Sequence, residues 1–263
     1  MSGLLEIRSL TVKYDGDGNA IKNIDMTVDH KEIIGIVGES GCGKTTLIRS
    51  IIHLLSSNAK VVSGEIIFNG QDIIKYNKEQ WRNLRGNEIA MVFQNPGSYL
   101  NPIIKIGKQF VQSIRNHRAL SKREAIKKAK ETLEKMHLRD CDRIMDSYPF
   151  QLSGGMKQRV AIAMAIAMEP KLILADEPTS ALDVMTQVQI ANELMALRED
   201  FHTSIIMVTH NIGCAAYMAD RIMVMNKGEI VEFESKAQII AQPKKEYTRN
   251  LLNAIPELKG LEA

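Results

Sequence analysis

Apolar residues along the chain follow two spacings, one typical of strands and one typical of helices. Short apolar or alternating segments rich in β-branched residues predict strands; these are Leu4–Val12, Glu32–Val37, Glu65–Phe68, Ile89–Phe93, Lys171–Ala175, Ser204–Val208, Arg221–Met225 and Glu229–Phe233. Helical spacing predicts helices after residue 46 and at Lys105–His117, Lys122–His137, Val160–Met168 and Tyr247–Leu252. Between about 95 and 168 we expect no strand. Strands that alternate with helices predict an α/β protein with a mainly parallel sheet covered on both faces.

Composition narrows the class of protein further. The 263 residues include 34 Lys and Arg against 31 Asp and Glu, a net charge of +3, and 44% are hydrophobic. This balance excludes an intrinsically disordered chain, and the small positive charge does not suggest nucleic-acid binding. No run of about 18 apolar residues occurs, so we expect no membrane span. The three cysteines are widely spaced and predict neither a disulfide framework nor a metal site.

A glycine-rich segment between a predicted strand and a predicted helix matches the pattern G-x-x-x-x-G-K-[ST]. Its glycines allow successive backbone N–H groups to face an anion, and the helix that begins near Lys44 adds a partial positive charge. Lys44 would bind the β- and γ-phosphates of a nucleotide, and the Thr45 hydroxyl would bind Mg²⁺. We therefore expect phosphate contacts from the segment Gly38, Glu39, Ser40, Gly41, Cys42, Gly43, Lys44, Thr45 and Thr46.

Two carboxylates directly follow another predicted strand, Lys171–Ala175. We expect Asp176 to bind Mg²⁺ or its water, and Glu177 to polarise an attacking water as a general base. A buried strand that ends in two solvent-facing acids would have the same sequence. The phosphate-binding pattern in the same chain favours the hydrolytic interpretation.

A second glycine-containing element, Leu152–Arg159, precedes a predicted helix. Ser153 is a favourable N-cap residue, and Gly154 and Gly155 leave N–H groups exposed at the helix start. In isolation the simplest interpretation is a capped helix. Because the chain already has one phosphate-binding loop, we expect this element to serve a second nucleotide-facing surface.

Taken together, these motifs resemble those of the ATP-binding subunits of ABC transporters, and the resemblance extends from about Leu4 to Glu234. The Leu-Ser-Gly-Gly element is the most diagnostic, because few other P-loop ATPases contain it. Six motifs stand in the family's order: Gly38–Thr45, Gln94, Leu152–Gln158, Leu172–Glu177, Ser180–Asp183 and His210. The resemblance implies a P-loop NTPase (RecA-like) core over 1–94 and 169–240, with an N-terminal antiparallel β region. It also implies an inserted α-helical subdomain with the signature motif over 95–168, and a short tail over 241–263.

The resemblance also implies roles for individual residues in a head-to-tail dimer that binds two ATP molecules with Mg²⁺. Gln94 would contact Mg²⁺ or the lytic water, so that the Mg²⁺ ligands are Thr45, Gln94 and Asp176. His210 would contact the γ-phosphate, and Tyr14 would stack on adenine. The signature residues Ser153, Gly154, Gly155 and Met156 would contact the partner subunit's ATP, and Ser180, Ala181, Leu182 and Asp183 would link the two sites.

Each of these residues also has a plainer interpretation when taken alone. Gln94 could be a surface residue, His210 a hydrogen-bonded core histidine and Asp183 an ordinary helix cap, and Tyr14 could simply pack on the surface. The combination of motifs in one order favours the functional roles.

Some segments resemble a narrower branch, the importers of oligopeptides, dipeptides and nickel. They are Phe93–Pro96, Leu100–Pro102, Tyr148–Met156, Asp176–Asp183 followed by Val184 and Gln187, and Tyr247–Leu252. Phe150 stands where many members have His, and is more similar to the nickel or metal-chelate members. This resemblance implies an ATPase bound peripherally to the cytoplasmic face of the cell membrane. Its partners would be a second, different ATP-binding subunit, two permease subunits and, indirectly, an extracellular or periplasmic solute-binding protein, with no nucleic acid.

Other functional classes fit the sequence less well. ABC ATPases of DNA repair or translation usually contain coiled coils, zinc-binding cysteine pairs or two fused halves, and none of these patterns occurs. An exporter ATPase is often fused to a membrane domain. A scaffold that does not hydrolyse ATP would not need Lys44, Asp176, Glu177 and His210. The transported solute stays open, because an ATPase subunit does not contact it.

Overall fold

The computed structural model of the chain describes residues 3–16, 18–180 and 182–254. In chain order the strands are β1 (Leu5–Tyr14), β2 (Asn19–Val28), β3 (Ile33–Val37), β4 (Ala59–Phe68), β5 (Gln71–Asp72), β6 (Ile89–Val92), β7 (Leu172–Asp176), β8 (Ser204–Thr209), β9 (Arg221–Asn226) and β10 (Glu229–Ser235). The helices are α1 (Lys44–Ile51), α2 (Lys78–Leu84), α3 (Ile106–His117), α4 (Lys122–Lys135), α5 (Cys141–Asp146), α6 (Gly154–Ile166), α7 (Val184–Phe201), α8 (Ile212–Met218), α9 (Lys236–Ala241) and α10 (Glu246–Asn253). Short 3₁₀ segments occur at Ile73–Lys75, Pro96–Ser98 and Pro149–Gln151.

The chain forms two compact units. The first contains residues up to Lys78 and from Ser204 onward, and the second contains Glu79–Thr203. The motif order places its boundaries elsewhere, at 1–94 with 169–240, 95–168 and 241–263. The two divisions differ in their placement of β6 and β7. The motif order assigns these strands to the ATP-binding core, whereas in the structure they belong to the same compact unit as helices α3 to α7.

An antiparallel sheet in the first unit has the strand order β2-β1-β4-β5. Alternate apolar residues of β1 are buried, including Leu5, Ile7 and Val12, as the side-chain period of a half-buried strand requires. This sheet confirms the predicted N-terminal antiparallel β region. The sequence pattern indicated β1 and the end of β4, but it did not indicate β2.

The other strands of the first unit surround β3. Strand β3 pairs in parallel with β8 and with β9, and β9 pairs antiparallel with β10. All residues of β3 and β8 are buried, as expected for strands of a parallel sheet with both faces covered. Helix α8 packs closely on β3, because a Cβ added at Gly35 would lie 2.8 Å from the Cβ of Ala215.

The second unit combines the parallel pair β6–β7 with helices α2 to α7. Residues buried between the helices include Phe110, Ile114, Ala129 and Leu133. Helix α4 begins with a capping box in which Ser121 and Glu124 exchange side-chain and backbone hydrogen bonds. The predicted helical region is therefore present, together with α2 and α5, which the spacing of apolar residues did not indicate. In the described part of the chain, no helix is both long and apolar enough to cross a bilayer.

Candidate functional site

The phosphate loop (Gly38–Thr45) connects β3 to α1 in the first unit, in the predicted order of strand, loop and helix. Gly38, Gly41 and Gly43 have φ angles of +153°, +79° and +106°. Gly38 is also sterically required, since a Cβ at this position would lie 2.2 Å from the carbonyl oxygen of Met225 in β9. The curvature of the loop therefore depends on glycine and on the strand beside it.

The N-terminus of α1 is suited to bind an anion. Gly43 is its N-cap residue and makes no side-chain capping hydrogen bond, and no acidic residue lies in the first turn of the helix. The first N–H groups of a helix have no partner within the helix and carry the positive end of its dipole. Phosphate oxygens would satisfy both the hydrogen bonds and the charge.

Lys44 is held over the loop with only 6% of its surface exposed. Its Nζ donates hydrogen bonds of 2.8 Å to the carbonyl oxygens of Gly38 and Glu39. It also lies 3.7 Å from the Cys42 sulfur. The ammonium group is thus anchored by the loop itself, in a position that suits a phosphate group.

Two residues outside the loop hold its backbone. The Gly228 N–H, in the turn between β9 and β10, donates to the Cys42 carbonyl oxygen at 3.0 Å. The Glu39 N–H donates to the Tyr247 hydroxyl at 3.3 Å. Tyr14 also lies close, with its hydroxyl 3.2 Å from Oγ1 of Thr46 in α1. Sequence patterns gave no site role to Gly228 or Tyr247, since their partners are distant in the chain.

In the second unit, the structure brings Gln94, Glu177 and Ser180 together. The Gln94 side-chain amide donates to a carboxylate oxygen of Glu177 at 2.9 Å and to the Ser180 hydroxyl at 3.2 Å. Glu177 has a φ of +46°, an uncommon backbone conformation for a residue with a side chain. Asp176 is the last residue of β7 rather than the first one after it, and only 4% of its surface is exposed. A carboxylate that accepts hydrogen bonds in a fixed direction is suited to orient a water molecule.

The signature element begins α6, as predicted. Ser153 is the N-cap residue, and its hydroxyl accepts a hydrogen bond from the Met156 N–H at 3.3 Å. A cavity of about 350 Å³ lies here, lined by Ser153, Gly154, Gly155, Met156, Arg159, Leu182, Asp183, Thr186 and Gln189. The structure thus joins the signature residues to Leu182 and Asp183, which were assigned to a separate motif.

Asp183 caps α7 within this cavity. Its carboxylate accepts from the Thr186 N–H at 3.0 Å and from the Thr186 hydroxyl at 2.7 Å. The hydrogen bond from the Thr186 N–H, followed by that from its hydroxyl, holds the pKa of Asp183 below its ordinary value. Asp183 therefore stays ionised and accessible at neutral pH.

An ion pair fastens the signature helix α6 to α7. Arg159 lies 2.9 Å from a carboxylate oxygen of Glu193, which has 5% of its side chain exposed. Burial raises the pKa of Glu193, and the charge and hydrogen bond of Arg159 oppose this rise. The pair fixes the side of α6 that lines the cavity.

The remaining predicted residues divide between the units. His210 directly follows β8 and is exposed, in the same unit as the phosphate loop and Tyr14. Ala181 lies outside the described residues.

Over the described ranges, no group of three His, Cys, Asp or Glu side chains could hold a metal ion. The Mg²⁺ ligands Thr45, Gln94 and Asp176 remain a prediction, based on hydroxyl, amide and carboxylate oxygens of the kind that Mg²⁺ prefers.

Comparisons with known proteins agree on one family. The family model described as ABC transporter matches residues 21–180. The chain is 40% identical to a probable peptide ABC transporter ATP-binding protein of Sinorhizobium fredii, over 97% of this chain and 77% of that protein. It is 38% identical to a dipeptide transport ATP-binding protein of Lactococcus lactis, over 96% and 74%. A solved structure from Clostridium perfringens, part of an ABC transporter complex, matches with a TM-score of 0.81 and 28% identity over 92% of both chains.

Proposed function

Because the chain belongs to the ABC transporter family, whose ATP-binding subunits couple ATP hydrolysis to transport, we propose that it powers the uptake of peptides. Peptides are the proposed cargo because relatives of the chain are named for peptide, dipeptide and oligopeptide transport. Nickel or metal chelates are the second candidate cargo, favoured by Phe150 in the segment before the signature element.

One observation supports ATP binding above the others: the buried Lys44 ammonium is held by a glycine loop at the N-terminus of α1, where the N-cap residue is glycine. In this proposal the residues of the phosphate loop and Thr46 bind the phosphates, and Tyr14 stacks on the adenine. Mg²⁺, bound by Thr45, Gln94 and Asp176, would neutralise charge on the phosphates. His210 contacts the γ-phosphate.

Hydrolysis is assigned to Glu177. Its carboxylate orients a water molecule and takes a proton from it as the water oxygen attacks the γ-phosphorus. The bond between the γ-phosphorus and the β–γ bridging oxygen breaks, so the products are ADP and phosphate. Gln94 supports this step because it donates a hydrogen bond to the same carboxylate.

Transport requires partners. In the proposal the signature residues Ser153, Gly154, Gly155 and Met156 contact the ATP of a second, different ATP-binding subunit, so that ATP closes the dimer and hydrolysis opens it. Ser180, Ala181, Leu182 and Asp183 link the two sites. Two permease subunits transmit this cycle, the chain lies peripherally on the cytoplasmic face of the membrane, and a solute-binding protein delivers the cargo.

The direct test is uptake by the assembled transporter. The chain would be purified from its own cells with the permease it binds and reconstituted into proteoliposomes with the solute-binding protein. We expect MgATP to drive uptake of a labelled di- or oligopeptide, and the same preparation with Lys44→Ala to show none. ATP-driven uptake of ⁶³Ni²⁺ without peptide uptake would replace the proposed cargo, and purification without any membrane protein would contradict the transport role.

A further inference from the structure

Helix α10 reaches the phosphate loop through Tyr247, a residue that the proposed ATPase mechanism does not use. The Tyr247 hydroxyl accepts a hydrogen bond from the Glu39 N–H at 3.3 Å. Its ring is partly buried, and burial raises the pKa of the hydroxyl. The group therefore stays neutral at physiological pH and acts here as a fixed acceptor.

The same peptide group also holds Lys44. The Glu39 N–H and the Gly38 carbonyl belong to one planar, trans peptide unit, so they point in opposite directions. Tyr247 binds one side of this unit, and the Gly38 carbonyl on the other side accepts from the Lys44 ammonium at 2.8 Å. Fixing the N–H therefore fixes the carbonyl that positions the ammonium group.

Helix α10 is itself anchored near its start. A carboxylate oxygen of Glu232 in β10 accepts from the Lys244 N–H at 2.8 Å, and the other accepts from the Lys245 N–H at 3.3 Å. Glu232 is 5% exposed, and Thr248 in the first turn of α10 is fully buried. Tyr247 thus extends from a firmly held turn rather than from a loose end.

We propose that Tyr247 is a positioning residue for nucleotide binding, which sets the orientation of the Gly38–Glu39 peptide and, through it, of Lys44. This proposal rests on the phosphate-binding role of the loop. It makes the docking of α10 a determinant of nucleotide affinity.

The test removes only the hydroxyl, with Tyr247→Phe in the full chain. The matched control is Tyr76→Phe, which removes a tyrosine hydroxyl that donates to Gln71 in the same unit. Affinity for MgATP and for magnesium tripolyphosphate, which has no adenosine, would be measured by calorimetry. Loss of one neutral hydrogen bond should weaken both ligands about fivefold, while Tyr76→Phe leaves both unchanged.

A spectroscopic readout separates positioning from a general structural effect. In ¹⁵N-labelled protein, the Glu39 amide should shift and exchange faster with solvent in Tyr247→Phe, with other amides of the first unit unchanged. Unchanged affinity for both ligands, or weakening of MgATP alone, would overturn the proposal. If the wild-type chain bound neither ligand, the proposed ATPase function would fail instead, so the two failures are distinct.

Discussion

Gln94 and Glu177 are 83 positions apart in the chain, yet the amide of Gln94 lies 2.9 Å from the carboxylate of Glu177 and donates a hydrogen bond to it. Two motifs that were assigned separate tasks therefore share one contact. The hydrogen bond from the amide fixes the direction of the carboxylate. The presence of the Glu177 carboxylate and its orientation can each be tested by a separate substitution.

Replacing Glu177 by Gln removes the proposed proton acceptor with little change in side-chain shape. We expect MgATP affinity to stay within about twofold, and hydrolysis by the assembled transporter to fall at least about 100-fold. Phosphate release and nucleotide binding would be measured on the same preparation. The matched control is Glu169→Gln, an exposed acid in the same unit that pairs with Lys128; wild-type turnover in Glu177→Gln would remove Glu177 from the role of base.

Replacing Gln94 by Glu tests the contact itself. A glutamate here cannot donate the hydrogen bond that Glu177 accepts, and its negative charge would repel the Glu177 carboxylate. We therefore expect Gln94→Glu to lower kcat for ATP hydrolysis, because the proposed base loses the group that orients it. The measurement is kcat of wild type, Gln94→Glu, Glu177→Gln and the double variant, and losses that simply add would contradict a direct interaction.

Gly38 and Gly41 differ in the space around them. A Cβ at Gly38 would collide with the Met225 carbonyl at 2.2 Å, whereas one at Gly41 would meet no described atom within 4 Å. Both positions have positive φ, which costs a side chain about 1–3 kcal/mol. We therefore expect Gly38→Ala to abolish MgATP binding and lower the unfolding temperature, and Gly41→Ala to have a clearly smaller effect on both.

Removing Arg159 leaves the carboxylate of Glu193 buried without its partner. Arg159→Met should therefore lower the free energy of unfolding by roughly 3 kcal/mol near neutral pH. The pKa of Glu193 is already raised by burial, so its neutral form is favoured in the folded protein as pH falls. The loss of unfolding free energy in Arg159→Met should consequently be smaller at pH 5 than at pH 8. The double variant Arg159→Met with Glu193→Leu should recover much of that loss.

For Glu232 in β10 we expect the opposite dependence of the free energy of unfolding on pH. Burial alone would raise its pKa, but the hydrogen bonds from the Lys244 and Lys245 N–H groups are among those that hold it below the ordinary value. Its contribution to stability is present above the pKa of an unfolded glutamate, about 4.3, and is lost as pH falls through the lower folded value. The free energy of unfolding of wild type should therefore fall more steeply below about pH 4.3 than that of Glu232→Gln. Parallel curves in urea titrations would contradict this.

Sequence reasoning located the phosphate loop because its determinants are contiguous. Glycine spacing, the preceding strand and the following helix can all be read within one short segment. The same holds for Ser153, whose capping partner Met156 is three residues away. The features that the sequence did not predict are those that depend on contacts between residues distant in the chain.

Strand β2 shows why local patterns were insufficient. Its pairing with β1 contains register shifts, and Asn23 has a positive φ within it. These irregularities interrupt the alternation of apolar and polar residues by which a strand is recognised. Tyr247 could not be assigned for a different reason, because its partner Glu39 is 208 positions away. Similarly, the motifs identified Gln94 and Glu177 but gave no indication that they touch.

The surroundings of β3 and the phosphate loop have a consequence for protein synthesis. Strand β3 lies between β8 and β9, and the loop is shaped by Met225 and Gly228. The ribosome releases the segment that binds phosphate long before it translates these neighbours. A nascent chain therefore carries the complete motif without the backbone that shapes it, and we expect it to bind nucleotide only after residue 228 has been translated.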